Sequence, residues 1–118
     1  MPTSDACRRI LAHIAATDPT HSAEQAIPVT FCTAYRWPAR TVRLRVDDPR
    51  FAHVYAHFKR RVKDYARSVK KGSDPPAIVV TDEGTRFAVH DGAHRLEAVK
   101  LAGGKTIRAF VGRPIKKR

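Results

Sequence analysis

The sequence predicts an α+β domain, a small mixed sheet with flanking helices, and three stretches carry that prediction. Residues 41–46, Thr-Val-Arg-Leu-Arg-Val, alternate polar and apolar side chains as a half-buried strand does. Residues 77–90 are two strand-like runs joined by Asp82-Glu83-Gly84-Thr85, a segment rich in turn formers, and read as a hairpin. Residues 93–102 place Leu96, Val99 and Leu101 for burial on a helix that Gly103-Gly104 stops, after which Thr106 to Val111 forms a last strand.

Taken in order, the chain starts with a helix over Ala6 to Ala16, capped by Ser4 or Asp5. Its Ile10, Leu11 and Ile14 recur at helical spacing, and Asp18-Pro19 ends it. Between Thr20 and Ala39, Val29, Phe31 and Ala34 suggest one short strand that Trp37-Pro38 breaks. In the strand at 41–46, Val42, Leu44 and Val46 share the inward face, leaving Arg43 and Arg45 outside. Asp47-Asp48-Pro49 supplies a capping carboxylate followed by proline at a first helical position. Phe51, Val54, Tyr55, Phe58, Val62, Tyr65 and Val69 then fall three and four apart, which predicts one long helix from Pro49 to Lys71, ended by Gly72. Ala77 to Thr81 is so continuously apolar that it belongs inside the sheet.

At 118 residues the chain is read as a single domain over 1–118: an N-terminal helix and connecting segment (1–40), the core (41–112) and a basic tail (113–118). A hydrophobic share of 42% beside 29% charged residues is globular rather than disordered. No apolar run reaches bilayer-spanning length and Met1 to Asp5 does not resemble a secretory leader, so the cytoplasm is the expected location, with a monomer or a dimer both open. Cys7 and Cys32 lie neither in a CxxC pair nor near a zinc-finger histidine pair; they are expected as reduced thiols with no disulfide framework. His53 and His57 are four apart, as ligands on a helix would be, but no third ligand accompanies them and a solvated face is the expectation. Trp37 beside Arg36 and Arg40 is read as an aromatic packed at the sheet boundary rather than a base-stacking ring.

Charge points to polyanions. Lys and Arg number 23 against 11 Asp and Glu, a net +12. Eight basic residues and one acid, Asp64, lie between Arg50 and Lys71, so the expected nucleic-acid surface comprises Arg60, Lys63, Arg67, Lys70 and Lys71, with Lys116 and Lys117 from the tail.

The chemistry concentrates in His90-Asp91-Gly92-Ala93-His94-Arg95-Leu96-Glu97-Ala98, where a strand passes through a glycine turn into a helix. A helix start carries unpaired N–H groups and the positive end of the helix dipole, which together bind anions. Gly92 and the amides of Ala93 and His94 are the expected phosphate cradle, and Arg95 adds charge-assisted hydrogen bonds. His94 donates to the same phosphate or positions a water; Asp91 holds Mg²⁺, orients His94 or Arg95, or simply forms an Asx-turn. Glu97 is a capping or pairing carboxylate first and a catalytic one second.

This run, with Ala102-Gly103 closing the helix and Thr106 to Phe110 after it, resembles the ParB/sulfiredoxin superfamily over about Pro76 to Val111. The resemblance implies binding of nucleotide phosphates at the turn and helix start. Known branches include CTP-hydrolysing partition proteins, ATP-using sulfinic acid reductases, a free-serine kinase and nucleases. Sulfiredoxins carry a catalytic cysteine between the turn glycine and the His-Arg pair, where this chain has Ala93, so that activity is not expected. Partition proteins usually show Gly-Glu-Arg-Arg here and continue into a helix-turn-helix, so a complete partition protein is not expected either. The kinase branch needs a carboxylate base, for which Asp47 and Asp48 are the candidates, each equally well read as a helix cap. The expected function is therefore a ParB-like, DNA-associated domain that binds nucleotide or nucleic-acid phosphate through Asp91 to Arg95, with a nucleoside triphosphate and Mg²⁺ as the implied ligands. One alternative is a small phosphotransferase, nucleoside triphosphatase or nuclease with His94 and Asp91 as its catalytic residues; the other is an inert protein-interaction scaffold.

Overall fold

The computed structural model describes residues 4–17 and 29–115. Helix α1 spans Asp5–Thr17, followed by a 3₁₀ turn at Val29–Phe31, strand β1 at Tyr35–Arg36 and β2 at Val42–Arg45. A second 3₁₀ turn at Pro49–Phe51 precedes helix α2 at Lys59–Lys70. The hairpin β3 (Ile78–Asp82) and β4 (Phe87–Asp91), helix α3 (Ala93–Leu101) and the long strand β5 (Thr106–Pro114) complete an α+β fold.

Strand β3 is the centre of the mixed sheet: it pairs antiparallel with β4 and parallel with β5. The long β5 has room for two further antiparallel partners, β2 along Thr106 to Ala109 and β1 at Arg113 and Pro114. Helix α3 makes this topology possible by carrying the chain from β4, on one side of β3, to β5 on the other.

Both faces of β3 are covered, which explains its uninterrupted apolar sequence. Ile78 and Val80 face a cluster with Phe51, Phe87, Leu96, Val99 and Ile107, under α3. Val79, between them in the pleat, faces Cys7, Ile10 and Ile14 of α1 together with Phe31 and Trp37. Helix α2 packs on α3 rather than on the sheet, through Val62, Ala66 and Ala98, with Ala56 beside them. Small residues at this contact let the helices approach closely.

The N-terminal helix, the hairpin, α3 and β5 lie where the residue pattern puts them, and Ser4 Oγ accepts from the Cys7 amide as a cap should. Four expectations are corrected. The long helix over Pro49 to Lys71 is replaced by the 3₁₀ turn, an irregular stretch over 52–58 and the shorter α2. Asp48 caps that turn, accepting from the Arg50 amide at 2.9 Å, and Phe51 plugs the core against Phe87, so the chain is pinned before a helix can propagate. The segment around Phe31 forms a 3₁₀ turn instead of a strand; the strand is the short Tyr35–Arg36. Val42 and Leu101 are exposed rather than buried: among the described strands β2 pairs only with β5, and Leu101 lies on the open groove beside Lys59 and Lys63 of α2. Finally, Cys7 and Cys32 form a disulfide, with Cα atoms 5.7 Å apart, tying α1 to the segment that leads into β1. Sequence spacing carries no information about that proximity, which exists only because α1 folds back on the sheet.

Trp37 is buried and stacked on Phe31, with its indole N–H donating to the Phe31 carbonyl. Among the described residues no helix is long and apolar enough to cross a membrane. Lys116 and Lys117 lie outside the described residues.

Candidate anion site at the start of helix α3

Strand β4 ends at Asp91 and α3 begins at Ala93, so the single residue Gly92 makes the whole turn. Its φ of +109° suits glycine, and a Cβ there would overlap Ile78 Cγ2 and stand 2.8 Å from Ile78 Cβ. The bare face of Gly92 is thus turned toward the core strand: the glycine brings α3 onto β3. Gly92, the N-cap residue, has no side chain with which to cap the helix.

Asp91 and Arg95 form the floor. Their carboxylate and guanidinium meet at 2.6 Å with side-chain exposures of 0% and 4%, four residues apart across the turn. Arg95 Nη1 also points at the Ala77 and Pro76 carbonyls, 3.3 and 3.4 Å away, and Thr17 Oγ1 donates to Asp91 Oδ2 at 2.8 Å. Of the roles open to Asp91, orienting Arg95 is the one this geometry displays. Arg95, expected at the ligand, is turned inward. Asp91 Oδ1 is buried and has no donor among the described residues.

Above this floor lies a cleft lined by Thr17, Arg61, Tyr65, Asp91, Gly92, His94 and Arg95. It is narrow, with free space of about 10 Å³, roughly one water. Arg61 comes from the first turns of α2, its guanidinium 3.3 Å from the Tyr65 hydroxyl. His94 Nε2 accepts from the Phe58 amide at 3.0 Å; a backbone N–H can only donate, so the ring proton resides on Nδ1. The same imidazole stacks on Phe58, centroids 5.5 Å apart. His94 therefore ties the irregular stretch before α2 to the start of α3.

The remaining candidates separate from the cleft. Glu97 pairs with Lys100 at 3.6 Å, beside Lys59 and Lys63 of α2 and apart from the cleft. Asp47 and Asp48 are bridged by Arg45 and Arg50, and those side-chain hydrogen bonds hold both carboxyls below the usual carboxylate range, the opposite of what a general base requires. His53 and His57 sit on the irregular stretch, not on a helix, and among the described residues no three His, Cys, Asp or Glu side chains gather as cation ligands. Among the described residues lining the cleft, Asp91 is the one carboxylate, and it is paired with Arg95. Arg60, Lys63, Arg67, Lys70 and Lys71 are exposed along α2 and its end, Arg67 within 3.4 Å of Asp64.

Thr17, Arg61 and Tyr65 were not anticipated as cleft residues. Arg61 and Tyr65 are four apart, so a shared helical face was legible, but nothing in the sequence says that this face stands over the start of α3. Thr17 reaches Asp91 from 74 residues away.

The fold and site define a class: a small α+β domain in which a strand passes through a one-glycine turn into an uncapped helix, above a buried ion pair and beside a basic helix. Residues 45–118, more than half of the chain, match the model of the ParB N-terminal domain, and the protein belongs to that family. This bears out the resemblance drawn from the Asp91 to Ala98 run, and the match begins at Arg45, the last residue of β2. No curated protein sequence matches the chain.

Proposed function

We propose that this protein is a DNA-associated ParB-like domain that binds a phosphate group, of a nucleoside triphosphate or of a nucleic-acid backbone, at the start of α3. The observation that carries the reading is the uncapped N-terminus of α3 opening beside Arg61. The positive end of the helix dipole attracts the anion, and Arg61 adds a guanidinium from a second element. Asp91 and Arg95 neutralise each other, so the floor contributes no net repulsion. Because the cleft is narrow, the phosphate sits at its mouth, and the exposed cations of α2 supply the salt-dependent attraction for nucleic acid.

The test is a binding screen of ATP, CTP, GTP and a DNA duplex, with and without Mg²⁺, at two salt concentrations. The wild type is expected to bind at least one nucleotide, and Arg61→Ala to lose about tenfold or more of that affinity. Replacing Arg60, Lys63 and Arg67 by glutamate is expected to weaken duplex binding and flatten its salt dependence. Absence of both nucleotide and duplex binding under every condition, or an Arg61→Ala variant that binds both like the wild type, would refute the phosphate site.

A further inference from the structure

Tyr55 and Phe58 belong to the helical stripe that periodicity assigns to the core, yet they are the most exposed large hydrophobic residues described, at 61% and 60%. The broken helix is the cause: the stretch over 52–58 runs irregularly, burying Ala56 and turning both aromatics outward. Lone exposed apolar residues are ordinary on protein surfaces, but two aromatics three residues apart are a surface with a chemistry. Lys59 Nζ lies 4.7 Å from the Tyr55 ring centre, and His57 meets that ring edge-on. Phe58 is stacked almost parallel on His94, with 21° between the ring planes, and His94 lines the anion cleft.

On the other side of Lys59 an open groove of about 390 Å³ runs between α2 and α3, lined by Lys59, Lys63 and Lys100 with Val62, Leu101 and Glu97. Cations therefore flank the aromatic pair on both sides: Arg61 at the cleft, and three lysines along the groove. Exposed flat rings interleaved with cations suit a chain of phosphates that carries unpaired bases, because every base has a π face for stacking and each phosphate meets a positive charge. A duplex keeps its bases stacked on each other and offers none to Tyr55 or Phe58. A basic protein partner would meet like charge.

We propose that Tyr55 and Phe58 form a base-stacking platform for single-stranded nucleic acid, whose backbone runs from the α3 cleft toward the Lys59–Lys63–Lys100 groove. The proposal rests on the nucleic-acid reading above and adds what that reading lacks, a preference for unpaired bases.

The experiment compares three fluorescent probes by anisotropy on the whole protein: a short oligothymidylate, an abasic strand of the same length and charge, and a duplex. Oligothymidylate is expected to bind about tenfold or more tightly than the abasic strand. Tyr55→Ala and Phe58→Ala are each expected to cost about fivefold or more for oligothymidylate while leaving abasic and duplex binding unchanged. Tyr55→Phe, which keeps the ring, is expected to behave like the wild type. Phe58 also contacts His94, so Tyr55→Ala is the decisive variant wherever Phe58→Ala lowers the melting temperature. Equal affinity for base-bearing and abasic strands overturns the platform but leaves the nucleic-acid reading standing. Failure of all three probes to bind overturns both. Self-association that Tyr55→Ala abolishes, without any base preference, overturns the platform in favour of a contact between copies.

Discussion

Arg95→Met separates a structural arginine from a ligand-binding one. In the native fold the Arg95 guanidinium, 4% exposed, neutralises an Asp91 carboxylate that is wholly buried. Methionine fills much of the same space but leaves the carboxylate with Thr17 as its hydrogen-bonding partner. Removing one member of such a buried pair costs about 3–5 kcal/mol, since the orphaned charge keeps its desolvation penalty. The long contacts to the Pro76 and Ala77 carbonyls add little, so about 4 kcal/mol is the expected loss. Against a typical domain stability of about 5–15 kcal/mol this is a large fraction. With a urea m-value of about 2 kcal/mol per molar, the unfolding midpoint should fall by about 2 M. The single tryptophan, Trp37, is buried against Phe31 and provides the fluorescence signal. Asp91→Asn combined with Arg95→Met removes the stranded charge and should recover at least about 1 kcal/mol, a coupling that a double-mutant cycle reads directly. A midpoint within about 0.3 M of the wild type, below about 1 kcal/mol at that m-value, would refute the structural role. If nucleotide affinity vanished in the same variant, Arg95 would have to be a ligand contact after all.

Three further outcomes are expected. Gly92→Ala forces a side chain into positive φ and onto Ile78, and should destabilise the protein by about 2–4 kcal/mol in the same urea assay; a neutral effect would mean that the turn relaxes without displacing β3. His90 lies against Thr81 Oγ1 and edge-on to Phe31, and burial lowers its pKa from the ordinary 6.5. The unfolded chain then binds a proton that the folded chain resists, so stability should be full above about pH 7 and decline as pH falls through 6.5 toward the folded value, by at most about 1.4 kcal/mol per pH unit. His90→Gln should flatten that slope between pH 7.5 and 5.5; an unchanged slope would assign it to other groups. Replacing both Cys7 and Cys32 by alanine removes a cross-link between residues 25 apart in sequence and should cost about 3 kcal/mol, seen as a melting temperature lower by about 10 °C, whereas equal melting under oxidising and reducing conditions in the wild type would show that the bond does not contribute.

The parts of the fold legible in sequence are those specified by local pattern. The hairpin at 78–91, helix α3 and strand β5 follow from period, turn residues and glycine stops, and on the same grounds the Asp91 to Ala98 run marked the turn where the candidate cleft lies. Periodicity misled at Phe51 to Phe58, where a helical stripe is present in the letters but Phe51 gains more by filling the core against Phe87 than by continuing a helix. Local spacing cannot weigh that competition, because the core partner is 36 residues away.

What the sequence by itself determined is the α+β class, the family resemblance, the basic character of the residues that became α2 and the place where a strand turns through Gly92 into a helix. Tertiary structure alone decided which side chains meet there. It folded Arg95 inward onto Asp91, brought Arg61 and Thr17 to the cleft, joined Cys7 to Cys32, and exposed Tyr55 and Phe58. The physical reason is one of range: turn chemistry and periodicity act over a few residues, whereas burial and charge pairing depend on neighbours that only the packed chain supplies.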